Sequence, residues 1–276
     1  MTGLTLTGLD GKVAVVTGAG RMRSIGRSVA VELARAGCDV VITGTGRDPS
    51  RYPDDEKAVG WRDVESVADE VRALGRRALA VVNDVADPDA VETLAEQVTA
   101  EMGRVDILVN NASVAKGADR VPVVELDVDV WRTLIDVNLN GVFYASRAFA
   151  RRMVAQGEGG SIVNMSSIAG KLMGPRMAAY AASKAAVQSL TCSMAGELGA
   201  DNVRVNAICP GTIDTFRMDD VGRGEAWDDM IARLIPLGRA GTGEDVAWMT
   251  MFLCSDQGAW ITGQLYTVDG GTVPGR

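Results

Sequence analysis

A chain of 276 residues with 47% hydrophobic side chains can bury a sizeable core and does not read as a disordered segment. Its formal net charge of −8 argues against nucleic acid or an anionic membrane surface as a partner. Histidine is absent. That removes His-based triads, His general bases and nearly every zinc-enzyme layout, and leaves acid–base chemistry to Tyr, Lys, Cys, Asp or Glu.

The N-terminal stretch MTGLTLTGLDGK lacks the charged-then-apolar pattern of a secretory leader, and no run of about 18 apolar residues marks a membrane span. The four cysteines, Cys38, Cys192, Cys209 and Cys254, are dispersed and form no C-x-x-C pair. A cytoplasmic protein with reduced thiols is expected, each cysteine a small buried hydrophobe. Cys209, beside a functional loop, is the candidate for oxidation.

In chain order, an apolar run VAVVT (13–17) leads into TGAGRMRSIG (17–26) and a helical pattern over 25–36. A buried strand, a glycine-bearing turn and a helix start form the usual cradle for a dinucleotide pyrophosphate. Gly18 suits the sharp turn and Gly26 the close helix approach, while Ser24 stands at a plausible N-cap with its hydroxyl and N–H available to a phosphate. Arg21 and Arg23 are unusual in such a turn.

Further runs follow: DVVIT (39–43), ALAVVND (78–84), VDILVNN (105–111), SIVNMSS (161–167), VRVNAIC (203–209) and QLYTVDG (264–270). Helical patterns lie between them near 62–75, 88–102, 129–156, 178–199 and 244–255. This alternation predicts an α/β fold: one doubly wound parallel sheet of about seven strands, helices on both faces, forming a single domain over 1–276. Two polar segments fit poorly, 44–63 after the second run and 212–241 after the sixth. Long loops at strand carboxyl ends are where open α/β sheets bind ligands. The second holds Phe216, Met218, Trp227, Met230 and Ile231. It reads equally as a lid over an apolar substrate or as a surface helix packed on the body.

Tyr180 and Lys184, in YAASK, share a helix face at i,i+4. An ammonium beside a phenol favours phenolate, which suits Tyr180 to exchange a proton with a carbonyl–alcohol pair. Ser166-Ser167 ends the fifth run, Asn110-Asn111 the fourth, and Asn138 lies mid-helix, where Asn is a poor former.

With TGAG…IG, Asp84-Val85, NNA (110–112), Asn138, Ser167, YAASK and PGTIDT (210–215) in this order, the chain resembles the short-chain dehydrogenase/reductases over nearly its whole length. The resemblance implies a Rossmann-type fold, a nicotinamide cofactor and a homotetramer or dimer. It makes Tyr180 the acid/base, with Lys184 lowering its pKa and holding the nicotinamide ribose. Ser167 would orient the carbonyl, and Asn138 would hold a relay water. Asp84 and Val85 would line the adenine pocket, and Asn110 would steady the fourth strand beside the cofactor, near Ala112. Pro210, Gly211, Ile213 and Thr215 would flank the nicotinamide. Two departures stand out. NNAG reads NNAS, with Ser113, and the glycine loop is two residues longer, with Ser24 at the middle glycine and Ile25 before Gly26.

The second strand ends in Ile42-Thr43-Gly44-Thr45-Gly46-Arg47, without the acid that bonds an NAD ribose. NADP(H) is therefore favoured, with Arg21, Arg23 or Arg47 on the 2′-phosphate. NAD(H) stays possible if Asp48, Asp54 or Asp55 folds back. The expected activity is hydride transfer between the cofactor and a ketone or secondary alcohol. Val114, Met173, Arg176, Phe216, Met218 and Trp227 are the candidate substrate residues, Arg176 facing any anionic group. One alternative is a 3-oxoacyl-thioester reductase docking an acidic carrier on Arg147, Arg151 and Arg152. Another, of a different class, is a non-catalytic NAD(P)-sensing protein. An enoyl reductase is disfavoured, because that branch tends to space Tyr and Lys by seven.

Overall fold

The computed structural model describes residues 6–274. Seven parallel strands form one sheet: β1 (Val13–Val16), β2 (Asp39–Gly44), β3 (Ala78–Val82), β4 (Ile107–Asn110), β5 (Gly160–Met165), β6 (Val203–Pro210) and β7 (Leu265–Val268). Their order is β3-β2-β1-β4-β5-β6-β7. The chain runs outward from β1 through β2 to β3, then returns to the other side of β1 with β4. The crevice between the carboxyl ends of β1 and β4 is thus the switch point where such sheets take ligands.

Ten α-helices accompany the strands among the described residues: α1 (Ile25–Arg35), α2 (Asp54–Ala58), α3 (Val64–Ala73), α4 (Pro88–Met102), α5 (Val128–Ile135), α6 (Gly141–Gln156), α7 (Ala169–Leu172), α8 (Ala178–Leu198), α9 (Glu225–Leu234) and α10 (Gly243–Cys254). Strand alternation splits the core into two layers. Ala14 and Val16 join Val29 and Leu33 of α1, Val67 and Val71 of α3, and Val246 of α10. Val13 and Val15 join Leu94 and Val98 of α4 with Phe149 and Met153 of α6.

Helix starts follow their caps. The Ser24 hydroxyl accepts from Arg27 N at the head of α1, as its position suggested. Asp87 accepts from Asp89 N and Ala90 N ahead of Pro88, and Thr242 with Asp245 forms a capping box on α10.

The helix expected over 129–156 is interrupted. A π-helical turn, Asp136–Asn140, separates α5 from α6. Such turns favour functional positions, and this one drives the Asn138 side chain fully inside. Among the described residues no helix is long and apolar enough to cross a membrane. Cys38, Cys209 and Cys254 are buried, which closes Cys209 to solvent oxidants, whereas Cys192 is exposed.

Candidate active site

Two clefts meet at the carboxyl edge of the sheet. The first, about 350 Å³, lies over the β1–α1 loop and the ends of β2, β3 and β4. Its lining includes Gly18, Arg21, Ser24 and Ile25 from the loop, Asn83, Asp84 and Val85 after β3, and Ala112 and Val114 after β4. Gly18 adopts φ +66, and a Cβ there would lie 2.6 Å from Ala112 Cα. Gly26 packs behind the loop, where a Cβ would meet Ala19 Cα at 2.9 Å. Only glycine permits this turn and this contact. The loop is braced by Thr17, whose hydroxyl accepts from Asn111 N and Ala112 N, and by Asn111 Nδ2, which donates to Thr17 O and Gly18 O. Asn111, not Asn110, therefore lines the cleft. Asn110 is buried and donates to Ser146 Oγ and Asn164 Oδ1, each at 2.8 Å, so it steadies β4 without reaching the cleft.

These residues fit a dinucleotide. The N-terminus of α1 offers its free N–H groups toward the loop. The buried Asn83 Oδ1 has no partner among the described residues, an acceptor left open in the same cleft.

The 44–63 segment folds back over the glycine loop. Glu56 of α2, 2% exposed, accepts from Met22 N at 2.9 Å and from Arg47 Nη1 at 2.8 Å. Trp61 Nε1 donates to Gly20 O at 2.7 Å. At the end of the segment Asp63 adopts φ +54, and its carboxylate accepts from Arg47 N and Nε, both at 3.2 Å. It occupies the crease between Gly20 and Gly44: a Cβ on Gly20 would lie 1.4 Å from Asp63 Oδ1, and one on Gly44 would lie 3.6 Å away. The strand end carries glycine where an acid is usual, and an acid from the far end of the insertion fills that space.

This changes three expectations. Asp48 caps a surface turn, Asp54 is exposed, and Asp55 pairs with Arg23; none of them enters the cleft. Arg47 lines it but is tied to Glu56 and Asp63. Arg23 does not line it, because its guanidinium bridges Asp55 at 2.7 Å and Asp219 at 2.5 Å. Arg21 stacks on the Phe216 ring, 3.9 Å from its centroid; burial and the Arg47 charge lower its pKa.

The second cleft, about 310 Å³, brings together Ser167 after β5, Tyr180 and Lys184 on α8, Pro210 at the end of β6, and Gly211, Ile213 and Thr215 after it. Thr215 lines both clefts, so the two are continuous. Lys184 is buried and donates Nζ to Met165 O at 2.8 Å. Burial, with a smaller push from Arg217, brings its pKa down to about 7. Its Nζ lies 5.8 Å from the Tyr180 ring centroid. Ser166 Oγ is tied back to Lys184 O at 2.9 Å, whereas Ser167 Oγ accepts only from Ala169 N at 3.1 Å, leaving Ser167 the freer hydroxyl. Asn138, expected to hold a relay water, is fully buried and lines neither cleft: its Oδ1 accepts from Val114 N at 3.0 Å and its Nδ2 donates to Ser183 Oγ at 3.3 Å.

Of the substrate candidates, Val114 and Phe216 line the first cleft and Met218 the second. Met173 (φ +49) and Arg176 (φ +57) turn outward and line neither. Trp227 packs under Arg223, 4.0 Å from its guanidinium, and also lies outside both. Sequence reasoning missed Asp63, Lys116, Arg120 and Arg217. On α6, Arg147 and Arg151 are exposed, but Arg152 is ion-paired with Glu92.

A family model described as "Enoyl-(Acyl carrier protein) reductase" matches residues 18–273. The L-rhamnose 1-dehydrogenase (NAD(P)(+)) of Sphingomonas sp. (strain SKA58) is 38% identical over 95% of this chain and 96% of its own length. The 2-dehydro-3-deoxy-D-gluconate 5-dehydrogenase of Escherichia coli (strain K12) is 34% identical over 97% and 98%. Among solved structures, carveol dehydrogenase from Mycobacterium avium in complex with NAD superposes with a TM-score of 0.85 at 29% identity, covering 95% of this chain and 98% of that one. The chain belongs to the short-chain dehydrogenase/reductase family and is an NAD(P)-dependent oxidoreductase transferring hydride to or from a carbonyl carbon.

Proposed function

We propose that this oxidoreductase interconverts a ketone and a secondary alcohol with Tyr180 as the proton donor and acceptor. The observation that carries this reading is the convergence of Ser167, Tyr180 and Lys184 in a cleft continuous with the glycine-loop cleft. The bound nicotinamide supplies or accepts the hydride. Ser167 Oγ donates to the substrate oxygen and polarises it. Tyr180 passes its phenolic proton to that oxygen in reduction and takes it back in oxidation. Lys184, with a pKa near 7, can exchange a proton at the working pH, and Asn138 holds the Val114 backbone and Ser183 behind α8. Tyr180→Phe should cut turnover about 10²- to 10⁴-fold while leaving cofactor affinity within a few-fold. Turnover near the wild-type rate would refute the assignment.

For the cofactor, the geometry of the insertion favours NAD(H) over the NADP(H) that the bare strand end suggests. Asp63 presents a carboxylate at the cleft, and Arg47 and Arg23 are already paired with acids, so a 2′-phosphate would meet Asp63 with Arg21 and Arg217 as the cleft arginines not ion-paired among the described residues. Parallel fluorescence titrations should give tighter NADH by about tenfold or more. Tighter NADPH would restore the opposite choice and assign the phosphate to Arg21 or Arg217. Large apolar side chains left exposed, Trp248, Trp260, Val128, Trp131 and Phe143 among them, support assembly as a homotetramer or dimer in the cytoplasm. Light scattering on the eluted protein distinguishes the two from a monomer. The 212–241 segment is read as the substrate lid.

A further inference from the structure

The mouth of the second cleft is cationic in a protein with 36 acidic and 28 basic residues. Arg217 enters it from the turn after Thr215 and Arg120 from the loop after β4. Their guanidinium carbons lie 5.4 Å and 4.8 Å from the centroid of the Tyr180 ring.

Arg217 is half-buried and donates Nη1 to Val114 O at 2.6 Å. No described carboxylate lies within ion-pairing distance of it, although most arginines along these loops, Arg23, Arg47, Arg223 and Arg239 among them, are paired. Arg120 stands 3.3 Å from the buried Asp119 carboxylate, but its Nε and Asp119 Oδ2 make no hydrogen bond. Lys116, at the same mouth, is neutralised by Asp220 at 2.6 Å. The cleft therefore holds one guanidinium without a counter-charge and a second only loosely satisfied, both against the proposed acid/base. A half-buried arginine at a cleft mouth with no described carboxylate beside it favours an anion.

We propose that the substrate is a short oxo acid or the matching hydroxy acid, its carboxylate held by Arg217 with help from Arg120. This deepens the oxidoreductase reading above and rests on it. The two guanidinium groups flank the Tyr180 ring, so the carboxylate they hold stands only a few bonds from the carbon that reacts. In the oxidative direction the alcohol O–H proton goes to the deprotonated Tyr180, the C–H hydride goes to the nicotinamide, and the carbonyl forms. The carboxylate takes no part beyond orienting the molecule, and Arg217 supplies a bidentate fork that fixes which face is presented. Arg176, the cation expected from its place near the motifs, is exposed, lines neither cleft and is not used.

The test is a matched series of short 2-oxo and 3-oxo acids and their methyl esters, assayed with the cofactor-loaded enzyme. Unreactive carboxylate–amide pairs are titrated in parallel through the fluorescence of bound NADH. Acids should exceed esters in kcat/KM by about 30-fold, the scale of a charge-assisted hydrogen-bond pair. Added salt should shrink the ratio. In Arg217→Met, and less so in Arg120→Met, the ratio should fall toward one and carboxylate binding should be lost, while the Kd for NADH holds. Esters turned over as well as acids, or carboxylates bound no better than amides, would overturn the proposal. So would Arg217→Met weakening NADH itself, which would make Arg217 a cofactor residue. The hydride-transfer reading fails differently: carboxylates would bind the NADH-loaded enzyme selectively, yet no member of the series would oxidise NADH.

Discussion

The two long polar segments at the carboxyl edge of the sheet look alike in sequence and are built in opposite ways. Residues 44–63 leave Asp48, Arg51, Asp54, Lys57 and Arg62 exposed but bury one charged cluster: Glu56 is 2% and the Arg47 side chain 16% exposed, and with Tyr52 and Asp63 they form a desolvated lattice under the cofactor cleft. Residues 212–241 keep theirs in water. The Arg23 and Asp219 side chains of their main anchor are 37% and 42% exposed, and of the segment's own residues only Ile213, Thr215, Ile231 and Ile235 are buried. A desolvated ion pair cannot give up a partner without leaving an uncompensated charge, whereas an exposed one exchanges with solvent at little cost. Loop polarity therefore says nothing about mobility. The first segment makes a fixed floor, and the exposed ion pairs of the second suit it to the lid role proposed above.

Glu56→Ala breaks this comparison if it is wrong. It removes the acceptor of both Met22 N and Arg47 Nη1 from a buried position. Unfolding in urea should show a loss of about 3 kcal/mol or more, the scale of breaking a buried pair by removing one partner. Cofactor affinity should fall with it, because the glycine loop loses its clamp. A loss under about 1 kcal/mol would place this lattice in the same class as a surface pair.

The fold and the gathering of Ser167, Tyr180 and Lys184 in one cleft were readable because each rests on local pattern. All seven apolar runs became strands, and the carboxyl ends of β5 and β6, with α8, deliver Ser167, Pro210 and Tyr180 to one cleft. The π-turn at Asp136–Asn140 was hidden by hydrophobic periodicity that continues across it; the single signal was Asn138, a poor helix former in mid-helix. Asp63 was out of reach because its place depends on how a 20-residue segment wraps, which no short-range spacing encodes. Gly20 and Gly44, which leave room for its carboxylate, were the trace it left in the sequence. Arg176 misled for a related reason. It lies close to the motifs, but its left-handed backbone turns it outward, while Arg217, further along the chain, returns to Tyr180.

Asp63→Asn sharpens the comparison at the floor itself. Asn tolerates the positive φ and keeps the shape but loses the charge that would bond a ribose diol. NADH affinity should drop about tenfold, as expected for a lost charge-assisted bond, and the gap to NADPH should narrow. Unchanged discrimination would mean that Asp63 only holds Arg47 in place.

The smallest effect belongs to the second segment. Asp219→Asn weakens the bridge from Arg23 to the 216–221 turn but leaves the Phe216 N to Arg23 O hydrogen bond in place. Both partners are more than a third exposed, so stability should change by less than about 1 kcal/mol in low salt and by less still in high salt. The informative readout is hydrogen exchange across 214–235. Faster exchange there, with the 44–63 amides unaffected, is the expected result, because opening the second segment breaks no buried ion pair of the first. If both segments exchange faster together, Arg23 couples them into one unit through Asp55 and Asp219, and substrate entry must then disturb the cofactor floor.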